Sequence, residues 1–125
     1  MKVLIVDDSK IVCDGLQQML TPIGNVDIVG QAHNARDAVQ SISALMPDVV
    51  ILDIRLPDRS GIEVLREIRA KQVTSRIIML TNYPYPQYRK KCEDLGADYF
   101  FDKVTEIEKI SALIEALANH KPEKV

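Results

Sequence analysis

At 125 residues the chain is long enough to bury one full core and leaves no room for a second module. Hydrophobic residues make up 46% and charged residues 27%, an ordinary globular composition, and no apolar run reaches membrane-spanning length. A net charge of −2, with both signs mixed along the chain, argues against direct contact with nucleic acid or an anionic membrane.

In chain order, short apolar runs alternate with segments of helical period. Strands are predicted over 2–7, 26–31, 49–53, 76–81 and 98–102, and the unbroken apolar character of the first, third and fourth predicts cover on both faces. The first helix, 9–20, starts at Ser9, carries Ile11, Val12, Leu16, Met19 and Leu20 at helical spacing, and stops at Thr21-Pro22. The second runs from Asn34 as cap through Ala38, Val39, Ile42 and Leu45 and ends before Pro47. Ser60 and Glu63 give a capping box for the third, ahead of Val64, Leu65 and Ile68. Pro84 and Pro86 delay the fourth, whose apolar stripe is only Cys92 and Leu95 before Gly96, so it is expected to be mobile. For the fifth, Thr105 and Glu108 give another capping box before Ile107, Ile110, Leu113, Ile114 and Leu117.

Five strand–helix repeats predict an α/β fold with a doubly wound, five-stranded parallel sheet, for which 2-1-3-4-5 is one right-handed solution. In that order the first and third strands are neighbours, and Asp7, Asp8 and Asp53 lie side by side at the carboxyl edge, where open α/β sheets bind ligands. Thr81 and Lys103, just past the fourth and fifth strands, join them. Carboxylates gathered in one pocket repel each other unless a divalent ion or a lysine offsets them. Hard oxygen donors suit Mg2+, with Asp8 and Asp53 as direct ligands, Asp7 acting through water and the backbone carbonyl of Arg55 completing the protein share. A metal-bound carboxylate can also be a nucleophile, and Asp53, on the central strand, is the candidate acceptor of a phosphoryl group. Thr81 would donate a hydrogen bond to one phosphoryl oxygen, and Lys103 would pair with another. No Gly-rich nucleotide loop is present, so no nucleotide is expected.

These residues resemble a known family over essentially the whole chain. Val6-Asp7-Asp8-Ser9, Asp53-Ile54-Arg55-Leu56-Pro57 with Gly61 following, Leu80-Thr81 and Phe100-Phe101-Asp102-Lys103 are similar to the motifs of the receiver domain of two-component response regulators. The resemblance implies the flavodoxin-like, CheY-like fold and phosphoryl transfer to Asp53 from a phosphohistidine on a sensor kinase or a histidine phosphotransfer protein, with Mg2+ in the acidic cluster. It also implies a switch in which Thr81 shifts toward the phosphoryl group while Phe100 changes rotamer. Such a domain is a phosphoacceptor that assists its own phosphorylation and dephosphorylation, not a metabolic enzyme. Two departures stand out: Asn82 and Tyr83 follow the hydroxyl where the family usually has a small residue, and Val104 replaces a common proline after the lysine. Tyr83 and Arg55 are expected to slow loss of the phosphoryl group.

All six aromatics, Tyr83, Tyr85, Tyr88, Tyr99, Phe100 and Phe101, fall between the end of the fourth strand and the end of the fifth. Phe101 and Tyr99 are expected in the core. Tyr83, Tyr85 and Tyr88, with Phe100, are expected to form a surface on the fourth helix, fifth strand and fifth helix for a downstream protein or a second copy. Cys13 and Cys92 lack metal or redox spacing and read as reduced and structural, and His33 and His120 read as surface residues.

The domain is expected over 1–120, with a polar tail at 121–125, and with no secretory signal its expected location is the cytoplasm. A magnesium phosphohydrolase would also use strand-end aspartates, but it needs a second acid or base and a substrate-gripping cap, which no insertion here supplies. A docking module that works without phosphorylation is the stronger alternative.

Overall fold

The computed structural model describes residues 1–119. His120 and the tail at 121–125 lie outside the described residues. Along the described chain run β1 (Lys2–Val6), α1 (Lys10–Leu20), β2 (Asp27–Ala32), α2 (Ala35–Leu45), β3 (Val49–Leu52), α3 (Gly61–Ala70), β4 (Arg76–Thr81), α4 (Pro86–Asp94), β5 (Tyr99–Asp102) and α5 (Lys103–Asn119). All four strand pairings are parallel, and the order is β2-β1-β3-β4-β5. The expected doubly wound sheet is therefore present.

Alternating side chains of the central strands feed two cores. Leu4, Val6, Val50, Leu52, Ile77 and Met79 pack with buried residues of α2, α3 and α4 on one face. Val3, Ile5, Val49, Ile51, Ile78 and Leu80 pack with α1 and α5 on the other. Each fully buried aliphatic side chain contributes roughly 1.5–3 kcal/mol, so these short strands are the most heavily anchored part of the chain and make a stiff base for whatever sits at their ends. No helix among the described residues is long and apolar enough to cross a membrane.

Several local expectations need correction. Ile11, placed on the apolar stripe of α1, is 84% exposed. The inward face of α1 is set by Cys13, Leu16 and Leu20, and two residues of helix turn Ile11 by about 200°, to the opposite side. Ser60 caps α3 through the Ile62 N–H at 3.0 Å, while the exposed Glu63 carboxylate closes no box. Thr105 and Glu108 do not start α5. Asp102 does, accepting the Val104 N–H at 2.9 Å while its own N–H donates to Glu106 at 3.0 Å. The helix therefore leaves β5 without a loop, with Lys103 as its first residue.

The aromatic assignment also needs correction at Phe100, while Tyr99 and Phe101 do pack against the α1–α5 core. Phe100 is the buried ring, 7% exposed and packed in the α2–α4 core, whereas Tyr99 and Phe101 are half-buried and stack on each other with centroids 6.4 Å apart. Three successive strand residues must alternate faces, and the side toward α4 has space for a whole ring because α4 contributes only Cys92 as a fully buried side chain. As it stands, Phe100 is not part of an exposed partner surface.

Candidate functional site

The strand ends bring the acidic residues together. Parallel pairing runs one step past each strand: the Asp7 N–H donates to the Ala32 carbonyl and the Asp53 N–H to that of Val6, both at 3.0 Å. Asp7 and Asp53 are thereby held on rigid backbone at the carboxyl edge, 2% and 6% exposed, while Asp8 is exposed to solvent. One carboxylate oxygen from each of Asp7, Asp8 and Asp53 lies within 4.8 Å of the others.

Lys103 reaches into this cluster from the start of α5. Its ammonium bonds to Asp7 Oδ2 at 2.5 Å and to Asp53 Oδ2 at 3.1 Å. Asp7 Oδ1 accepts the Ser9 N–H at 2.9 Å, which fixes that carboxylate at both oxygens. Asp53 Oδ1 is different: it is buried and has no hydrogen-bond partner.

Charge and burial set the chemistry. Desolvation pushes the Asp53 carboxyl above the ordinary carboxylate range, the Lys103 charge opposes that rise and the Asp7 charge adds to it. For Lys103 burial works against the ammonium, but the bond to Asp7 and the charges of Asp53 and Asp7 prevail and hold its pKa above the usual lysine value. Cys13, whose thiol donates to the Asp7 carbonyl at 3.4 Å, is pushed up to about 11 by burial and the nearby Asp7 charge. It is protonated and inert at neutral pH, as is Cys92, pushed up to about 11 by burial.

The donor set fits a hard divalent cation. Three carboxylates against one ammonium leave two negative charges uncompensated, and one buried oxygen lacks a partner. The Arg55 backbone carbonyl accepts no hydrogen bond among the described residues.

Thr81 ends β4 next to β3, fully buried, and its Oγ1 accepts the Tyr83 N–H at 3.0 Å. It makes no bond to the carboxylates. The Arg55 guanidinium lies over the Tyr83 ring, and Tyr83, Tyr85 and Tyr88 follow one another with centroid separations of 6.2 and 5.4 Å. Tyr85 is 45% exposed, and Tyr83 and Tyr88 are half-buried. His33 follows Ala32 at this same edge, but its Nε2 faces Gln31 Oε1 at 3.2 Å rather than a carboxylate.

Gly61 is required by a close approach. Its N–H donates to the Ile54 carbonyl at 2.6 Å, and a Cβ there would stand 1.9 Å from the Asp53 carbonyl oxygen. Two further side chains around the site carried no sign in the linear pattern, because their partners are distant in sequence or are backbone groups. Asp58 accepts the Ala35 and Arg36 N–H groups at 2.7 and 3.0 Å. Arg89 stands 4.6 Å over the Phe100 ring and donates to the Phe100 carbonyl at 3.3 Å.

Comparison with known proteins gives a consistent result. A family model described as the response regulator receiver domain matches residues 3–115. Among curated proteins, the DNA-binding transcriptional activator EvgA of Escherichia coli K12 is 32% identical over 119 residues, covering 95% of this chain and 58% of that protein. The transcriptional regulatory protein YdfI of Bacillus subtilis is 34% identical over 115 residues, covering 92% and 54%. The chain thus spans little more than half the length of these relatives. Among solved structures, the signal receiver domain of the response regulator NarL from Mycobacterium tuberculosis superposes with a TM-score of 0.86 at 26% identity, covering 96% of this chain and 97% of that one. A chain of the CheX–CheY–BeF3–Mg2+ complex from Borrelia burgdorferi superposes with a TM-score of 0.79 at 29% identity, covering 91% and 89%.

Proposed function

The chain belongs to the response regulator receiver domain family, and on that premise we propose that it takes a phosphoryl group onto Asp53 in a Mg2+-dependent reaction. The observation that carries this reading is the buried, unpartnered Oδ1 of Asp53, a nucleophilic oxygen left free while its twin is held by Lys103. That oxygen attacks phosphorus as the P–N bond of a phosphohistidine breaks; the electron pair leaves with the imidazole, which then takes up a proton.

The surrounding residues supply position and charge. Asp8, Asp53 and the Arg55 carbonyl would hold Mg2+ directly, with Asp7 acting through water, and the ion would supply positive charge to offset that of the phosphoryl oxygens. Lys103, kept protonated by Asp7, pairs with one phosphoryl oxygen. Thr81 uses its oxygen to accept the Tyr83 N–H, so its own hydrogen is free to donate to another. Because these groups act on the phosphoryl group in both directions, the domain assists its own phosphorylation and dephosphorylation.

A shift of Thr81 toward the phosphoryl group breaks its bond with the Tyr83 N–H and displaces the tyrosine run leading into α4. A bias of about 1–3 kcal/mol in that equilibrium is enough for switching. The signal leaves through the α4–β5–α5 face, with Tyr83, Tyr85 and Tyr88 as anchors for a downstream protein or a second copy. The phosphodonor is a cytoplasmic sensor histidine kinase or a histidine phosphotransfer protein. Relatives named as DNA-binding activators support an output at transcription, with this region as the input that does not itself touch nucleic acid.

One observation favours a second reading. Phe100 already occupies the interior beneath Arg89, an arrangement in which the α4–β5–α5 face can dock a partner without phosphorylation. Incubation with acetyl phosphate and Mg2+ separates the two. A mass gain of one phosphoryl group in the wild type, lost in Asp53→Ala, supports the relay; an unchanged mass leaves the docking module.

A further inference from the structure

The first four N–H groups of α2 are satisfied in an unusual way. Asn34 accepts the Asp37 N–H through its side chain at 2.8 Å and the Ala38 N–H through its carbonyl at 3.1 Å, as an ordinary N-cap does. The remaining two, from Ala35 and Arg36, go to the carboxylate of Asp58, 23 and 22 residues further along the chain. Asp58 is therefore a second cap supplied by another segment.

That segment is the β3–α3 loop. Its base is closed by an antiparallel bridge between Arg55 and Ser60 and by the Gly61 to Ile54 hydrogen bond. Residues 56–59 form the tip, and Asp58 fastens it to α2. Closing the base fixes the loop at one end only, whereas two charge-assisted bonds to a helix N-terminus fix the other. The loop carries Arg55, whose carbonyl accepts no hydrogen bond among the described residues and so relies on the loop for its direction.

We infer that Asp58 is a positioning residue for phosphoryl-transfer chemistry at Asp53: by tying the β3–α3 loop to α2, it holds the Arg55 carbonyl where Mg2+ is bound. The inference rests on the proposed role of the acidic cluster as the magnesium site. It assigns Asp58 no contact with metal or phosphoryl group.

The test compares Asp58→Ala with Asn34→Ala, which removes the other cap of the same helix and leaves the loop alone. Magnesium is titrated calorimetrically into each full-length protein, and amide exchange is followed by NMR. Loss of an outer support of a metal site costs roughly tenfold in affinity. The expected result is a drop of about that size in Asp58→Ala, near-wild-type affinity in Asn34→Ala, and an intermediate loss in Asp58→Asn, whose single amide oxygen can accept only one of the two N–H groups. Equal losses in Asp58→Ala and Asn34→Ala, or full affinity in Asp58→Ala despite freed Ala35 and Arg36 amides, overturn the inference. If the wild type itself takes no magnesium, the reading of the acidic cluster fails, and the tie is judged by exchange at Leu56 and Ser60. Faster exchange there in Asp58→Ala alone upholds it; equal exchange in both variants refutes it.

Discussion

The Arg55 guanidinium carbon stands 3.8 Å from the centroid of the Tyr83 ring, joining the residue two past Asp53 to the residue two past Thr81. Both partners flank the Asp53–Thr81 edge, and Tyr83 is tied to it again through its N–H. The pair bridges the loops that follow β3 and β4.

A cation–π contact at a partly exposed site is worth about 0.5–1 kcal/mol. If holding those loops together slows water, Tyr83→Ala dephosphorylates roughly fivefold faster than the wild type, the rate equivalent of ~1 kcal/mol. Loss of phosphoryl label from the purified protein gives the rate. A rate no faster than wild type refutes this role for the tyrosine.

Asp53 makes the fold weaker as its proton leaves. Its pKa lies above the unfolded carboxylate value, so the stability it contributes is fully present in acid and is lost as pH rises through the folded pKa. Asp53→Asn should therefore melt higher than the wild type at pH 7 without magnesium, and the difference should close as pH falls to about 4. Saturating magnesium should reverse the order, since binding at 100 times Kd stabilises the wild type by ~2.7 kcal/mol. Melting curves at two pH values, with and without the ion, decide it.

Lys103 is the only cation bonded to the buried carboxylates among the described residues, its side chain 10% exposed. Replacing it with methionine leaves Asp7 and Asp53 facing each other uncompensated, at an expected cost of about 3–5 kcal/mol. Asp53→Asn in the same chain should recover much of that loss. Urea titrations of the single and double variants measure it, and purely additive effects would argue against the coupling.

At Gly61 a methyl group has nowhere to go, with the Asp53 carbonyl oxygen 1.9 Å from the ideal Cβ position. Gly61→Ala should destabilise the fold by about 3 kcal/mol and lower phosphoryl uptake from acetyl phosphate. Normal melting with normal uptake would mean that the loop relaxes freely.

Arg89 covers the Phe100 ring from outside and bonds its carbonyl. Arg89→Ala should leave magnesium affinity and phosphoryl uptake at Asp53 unchanged while releasing the ring into more than one rotamer. Aromatic NMR signals of Phe100 that broaden or split report this, and a single sharp set identical to wild type rules it out.

Most of the architecture was readable from the chain, because continuous apolar runs such as Val49–Leu52 can be satisfied only by burial on both faces, and alternation with helical segments forces a parallel sheet. Strand-end placement of Asp7, Asp8, Asp53, Thr81 and Lys103 was equally readable, since each ends such a run or follows it within two residues. What the chain could not disclose were choices made by packing between distant segments. The face that Phe100 takes depends on how little α4 fills. The start of α5 depends on whether Asp102 or Thr105 reaches the free amides first, and Asp102 stands at the strand end. Asp58 finds the N-terminus of α2 only after the β3–α3 loop folds beside it, and Arg55 meets Tyr83 only when β3 and β4 pair. Local pattern records which side chains must leave water, while their partners at the surface are settled by geometry across 20 or more residues, where no periodicity survives.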